Sequence, residues 1–132
     1  MKNTCDIKHE VPEEVVLEFI RNSYQFFKKF PIGPKGDTDE SLKESLKLIH
    51  QFTYFKFHPH SDHRSGLYRI KDIKEIDFIE IVNDKEVIIV TRKNQSIVPA
   101  CEFRLKRKNK SWKISNVRIK HGTSNYSNLF VS

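Results

Sequence analysis

The chain has 132 residues, of which 37% are hydrophobic and 31% charged, and its formal net charge is +7. That length corresponds to one domain, large enough to bury a single core without disulfide or metal staples. Four Gly and five Pro exclude a low-complexity or disordered chain, and no apolar run approaches the roughly 18 residues of a membrane span.

Residues 1–10 are polar and charged, with no signal-peptide pattern, and are expected to form a flexible N-terminal segment. The next twenty residues form the clearest helix. Val15, Val16, Phe19, Ile20, Phe26, Phe27 and Phe30 recur at three-to-four spacing, the period of one helical face. Pro12 suits the first turn, Glu13 and Glu14 suit the positive end of the helix dipole, and Lys28 and Lys29 suit the other end. Pro31 stops the helix. Gly33, Pro34 and Gly36 mark a loop without the glycine spacing or Lys-Ser/Thr ending of a phosphate-binding loop. A second helix is expected from Asp39 or Ser41, where Ser41 and Glu44 match a capping box. Leu42, Leu46, Ile49 and Thr53 should make its buried face.

Residues 58–66 read as a polar loop, followed by a short strand or helical turn over 67–73. Residues 77–82 and 86–91 read as strands around Asn83-Asp84. The run Val87, Ile88, Ile89, Val90 is expected to be a strand covered on both faces. Residues 97–107 and 111–120 form two further amphipathic strands joined by Lys108-Asn109-Lys110, with Pro99 marking a bulge or an edge. In the last strand Trp112 and Ile114 share one face, whereas Val117 and Ile119 have the opposite phase. A bulge or sharp bend near Ser115 and Asn116 would return all four to the core. Residues 121–132 are polar and read as a C-terminal tail, so the single domain is expected to span 11–120.

The charge is unevenly spread: residues 1–60 balance to zero, residues 61–90 carry −2, and residues 91–132 carry +9. The C-terminal hairpin is therefore a basic face, suited to an acidic protein or to nucleic acid. Arg104, Lys106, Arg107, Lys108, Lys110, Lys113, Arg118 and Lys120 would line a phosphate track, but no aromatic is expected beside them for stacking bases. His58, His60, Asp62 and His63 are metal-capable residues at a spacing that matches no zinc motif, and they read as a solvated loop. Asp72, Glu75, Asp77 and Glu80 read as a solvated face rather than an acid-base pair. Cys101 alternates with Phe103 and Leu105, as a small core residue would. Cys5 and Cys101 without an export signal fit a reducing cytoplasm. No residue is assigned to catalysis, to a cofactor or to a metal.

The helix-helix-sheet order resembles the nuclear transport factor two-like superfamily, an α+β cone in which a strongly curved antiparallel sheet wraps on N-terminal helices. The resemblance rests on Glu86-Val-Ile-Ile-Val-Thr-Arg followed by Cys101-Glu-Phe-Arg-Leu-Lys-Arg-Lys-Asn-Lys-Ser-Trp-Lys-Ile-Ser-Asn-Val, which looks like the closing hairpin of that fold. In size and style the chain is most similar to bacterial immunity proteins of this fold. The resemblance implies a protein, not an enzyme, that neutralises a cognate toxin by stoichiometric binding and has no cofactor. Enzymes sharing the cone, such as ketosteroid isomerase, place Asp, His or Tyr inside it. The positions expected inside here are mainly Val, Ile, Phe, Leu and Trp, although Tyr24, Tyr54, Tyr68 and His50 are within reach of a cavity. The expected partner is a toxin with an acidic contact surface, met by Arg104, Lys106, Lys113 and Arg118, or by Phe57, His58 and His60. A small enzyme or ligand-binding protein of the same fold and a basic RNA-associated protein are the alternatives. Both a monomer and a homodimer fit the resemblance.

Overall fold

A computed structural model describes residues 10–33, 36, 38–54, 64–92, 100–121 and 125–128, with side chains described as far as Ile119. Three helices, α1 (Pro12–Lys29), α2 (Asp39–Phe52) and α3 (Arg64–Ile70), precede the strands β1 (Ile76–Asn83), β2 (Glu86–Thr91), β3 (Cys101–Lys108), β4 (Ser111–His121) and β5 (Asn125–Asn128). The strands form one antiparallel sheet in chain order. The fold is α+β, with α1 packed on β4 and β2 and the other two helices packed on α1.

Helix α1 follows its periodicity. Val15, Val16, Phe19, Ile20 and Phe26 are buried, Phe30 caps the end with its N–H on the Phe26 carbonyl (2.8 Å), and Phe27 packs against the core half-buried. Ser23 lies in the same buried stripe, its hydroxyl donating to the Phe19 carbonyl at 2.8 Å. A hydroxyl satisfied within its own helix enters a core without an unmet hydrogen bond.

Helix α2 starts at Asp39, the earlier of the two expected positions, but with a different cap. Thr38 is the N-cap, and Thr38 and Ser41 exchange backbone-to-side-chain hydrogen bonds at 3.1 Å each. Ser41 is thus the third helical residue of the capping box rather than its first member. The buried face also differs: Ser41, Ser45, Ile49 and Phe52 are buried, whereas Leu42 and Leu46 are half-buried. Small serines bring this face close to its neighbours, and each bonds back to a carbonyl one turn earlier (Ser41 to Thr38, Ser45 to Leu42, both 2.8 Å). In the preceding loop Gly36 has no room for a side chain, since a Cβ there would fall 1.8 Å from the Pro31 carbonyl oxygen.

Arg64 to Gly66, read as loop, open helix α3, which buries Leu67 and Ile70. The β1–β2 turn falls at Asp84-Lys85, with the Asn83 side-chain oxygen accepting from the Lys85 N–H (2.8 Å). In β2, Val87 and Ile89 face the core, while Ile88, on the opposite face and 8% exposed, sits between its cross-strand neighbours Glu80 and Arg104. The continuous apolar run therefore marks a strand covered on both sides at its centre.

Strand β4 resolves its phase conflict with a bulge. Arg104 pairs with Asn116 and Leu105 with Ile114, so Ser115 is the extra residue. Its hydroxyl donates to the Arg104 carbonyl at 3.1 Å. Trp112, Ile114, Val117 and Ile119 are consequently all buried, as the sequence requires. The turn before β4 places Asn109 in the left-handed region (φ 58°), where asparagine is tolerated. Within the stretch read as a tail, Asn125 to Asn128 form β5 against β4. An edge strand is held by main-chain hydrogen bonds, so its polar composition gives no warning of it.

Deleting Ser115 removes the extra residue and leaves Trp112, Ile114, Val117 and Ile119 in one unbroken alternation, so the four should stay buried and cooperative thermal unfolding should persist. Ser115→Ala, which removes only one hydrogen bond, should cost about 1 kcal/mol and keep the transition two-state. Thermal melts followed by circular dichroism check both.

Candidate partner-binding face

Strands β3 and β4 turn one face to the helices and the other to solvent. On the outer face lie Glu102, Arg104, Lys106 and Lys108 of β3 and Lys113 and Arg118 of β4. All four basic residues expected to meet a partner share this face, but they fall into two groups.

Arg104 and Arg118 are engaged within the sheet. Arg104 pairs with Glu86 of β2, and Arg118 reaches across to Glu102 of β3, with its Nε 2.8 Å from the carboxylate. These are cross-strand ion pairs on a half-buried surface, each contributing about 0.2–1 kcal/mol. They neutralise the middle of the face, so neither arginine presents a free positive charge.

The lysines remain. Among the described residues, no carboxylate forms an ion pair with Lys106, Lys108, Lys110 or Lys113. Lys106 sits directly opposite Lys113 in the register. Like charges in that position cost a sheet about 0.2–1 kcal/mol, so the hairpin tip carries an unfavourable pair that packing does not demand.

An aromatic ring completes this cluster. Helix α2 ends at the C-cap Thr53, whose N–H and hydroxyl both bond the Ile49 carbonyl (2.9 and 2.7 Å). The chain then crosses the edge of β4, where the Tyr54 N–H donates to the Ile114 carbonyl at 2.9 Å. Tyr54 is thereby laid against the outer face. The Lys108 and Lys113 ammonium groups lie 4.8 and 5.8 Å from its ring centre, and its hydroxyl donates to the Lys106 carbonyl at 3.4 Å. Burial pushes the Tyr54 phenol above its ordinary pKa. The basic face thus carries an aromatic after all, contrary to the sequence reading, because Tyr54 reaches it from a segment 52 residues away from Lys106. No local pattern signals this. On the core-facing side of the same hairpin, the Arg107 guanidinium stacks 5.7 Å from the Trp112 ring centre.

Phe57, His58 and His60, together with Asp62 and His63, lie outside the described residues, as does Cys5. A cleft of ≈ 290 Å³ between α1 and α2 is lined by Asn22, Gln25, Phe26, Lys29, Glu44 and Lys47 among others. Its one ion pair among described residues, Lys29 to Glu44 at 4.0 Å, is long and exposed. No helix of the described chain is long and apolar enough to cross a membrane.

No protein-family model, curated protein or solved structure matches this chain.

Cys101 is 1% exposed, with its main chain tied to the Thr91 hydroxyl (3.0 and 3.3 Å). Burial pushes its thiol from the ordinary 9.0 up to about 12, against smaller opposing effects of Arg69 and Thr91. The neutral thiol is the form the fold prefers. Its contribution to stability should be complete below pH 9.0 and be lost as pH rises towards about 12. In a Cys5→Ser background, native protein should resist thiol alkylation at neutral pH. The stability difference between that protein and its Cys101→Ala derivative, measured by denaturant titration, should shrink across the same alkaline window.

Proposed function

We propose that this chain is an immunity-type protein that binds a cognate toxin stoichiometrically and neutralises it. Contact would be made through the outer face of the β3–β4 hairpin. The observation that carries this reading is the lysine cluster at the hairpin tip, without an ion-pair partner among the described residues, where Lys106 opposes Lys113 beside Tyr54 and Lys108. A like-charge pair that costs the sheet stability is offset when an acidic surface covers it. Tyr54 supplies a rigid, partly apolar ring at the centre of the charges, the kind of anchor that binding hot spots use.

The binding reading is also supported on the other side of the sheet. Val87, Ile89, Phe103, Leu105, Ile114 and Val117 join Phe19 and Phe52 in one packed core. An apolar filling of that kind favours a scaffold over a catalytic pocket. The finer architecture that goes with the proposal is the nuclear transport factor two-like cone, and the bulge at Ser115 is the device that would curve its sheet. Arg104 and Arg118 become framework residues that hold the face together, and the lysines become the contacts. Tyr54 among lysines also favours a second reading, a single-stranded nucleic acid with a base on the ring and phosphates on the ammonium groups.

The deciding experiment is recovery of the tagged protein from its own cells at moderate salt. A single stoichiometric protein, toxic when expressed alone and harmless when co-expressed with this chain, is the expected result. Nuclease-sensitive material in its place would establish the second reading. With the partner in hand, Lys106→Glu/Lys113→Glu should slow association about tenfold or more and flatten its salt dependence. An unchanged on-rate would remove the hairpin tip as the contact.

A further inference from the structure

The first strand of the sheet is exposed in a way the rest of the fold does not explain. β1 pairs with β2 along one edge, and its other edge carries no strand among the described residues. Eight residues long, it exposes apolar side chains on both faces: Phe78 is 52% exposed, Ile81 75%, Val82 44% and Ile79 39%. Ile79 and Ile81 are in register with Ile89 and Val87, which are buried. The helix layer that covers β2 and β4 therefore gives β1 too little cover. Long apolar edge strands are templates for pairing, and monomeric proteins blunt them with proline, charged side chains, bulges or short length. Ile76 to Asn83 contains neither proline nor lysine; its register shifts fall towards its two ends and leave the central run 78–81 regular, with Glu80 its one charge.

We propose that β1 pairs antiparallel with β1 of a second copy, joining the two sheets edge to edge around a two-fold axis at Ile79. Charge narrows the register. A two-fold axis perpendicular to the sheet keeps each face on its own side, so the strands can slide only by whole steps of the pleat. Centring on Glu80 would set two carboxylates directly opposite each other, which is unfavourable. Centring on Ile79 sets each Glu80 opposite a Phe78 within the regular run 78–81. The same register carries Lys74 of one copy towards Asp84 of the other, twice. Both residues are exposed, and neither has an ion-pair partner among the described residues. The apolar edge of one copy is thus complementary to itself, with an oppositely charged pair at each end. The axis leaves both outer faces on the same side of the joined sheet, so the dimer would present two lysine clusters in one direction.

Sedimentation equilibrium of the full chain over a concentration series tests this. A reversible monomer-dimer equilibrium is expected. Ile79→Lys, which sets two ammonium groups on the axis, should abolish the dimer while circular dichroism shows the fold retained. Lys74→Asp should weaken it about tenfold, since two like-charge pairs replace two opposite ones. The double variant Lys74→Asp/Asp84→Lys should restore it. A monomer at every concentration overturns the proposal. So does a dimer indifferent to Ile79→Lys, or a double variant no tighter than Lys74→Asp. None of these outcomes depends on the lysine face or its partner.

Discussion

The single extra residue in β4 is the constraint on which the rest of this structure depends. Without the bulge at Ser115, strict two-residue alternation along these same residues would bury either Trp112 and Ile114 or Val117 and Ile119, never all four. With it, one strand lays four large side chains into the core, where they meet Phe19 and Phe52 from the helices and Phe103 and Leu105 from β3. The bulge costs one disrupted step in the ladder, and the Ser115 hydroxyl on the Arg104 carbonyl makes up part of that loss.

The same place in β4 connects the helices to the outer face. The Ile114 carbonyl, next to the bulge, accepts the hydrogen bond of Tyr54 as the chain leaves α2. That bond turns the chain around the edge of β4 and delivers an aromatic ring to the solvent side of the sheet. Core and candidate site are therefore two consequences of one local geometry. The core requires Ile114 to face inwards, and Tyr54 is then held by its backbone on the opposite side.

Charge on the sheet is arranged by the same alternation. Glu86 and Glu102 sit on the outer face and take Arg104 and Arg118 as partners, so the centre of the face is neutral and bound to itself. The hairpin tip has no acid of its own, and its lysines stand unpaired among the described residues. Net charge by segment thus overstates the middle of the hairpin and understates the contrast with its tip. At the other end of the sheet the composition inverts: β1 is apolar with two acids and lies beyond the main helix contacts. The two ends of one sheet are fitted for different neighbours.

The sequence by itself determined the helix-then-sheet order, the buried stripe of α1, the covered run in β2 and the need for a bulge or bend near Ser115 and Asn116. Each is a matter of local period, which the chain carries in the spacing of its own side chains. It also located the basic hairpin, because charge along a strand follows from alternation alone. The serine-lined face of α2 needed the tertiary structure, since small polar residues are buried only where another helix comes close. So did β5, which is held by main-chain bonds that ignore composition. The arrangement of the candidate site was decided only in three dimensions. Arg104 and Arg118 met their carboxylates, and Tyr54 met Lys108 and Lys113, across separations in sequence that no periodicity encodes.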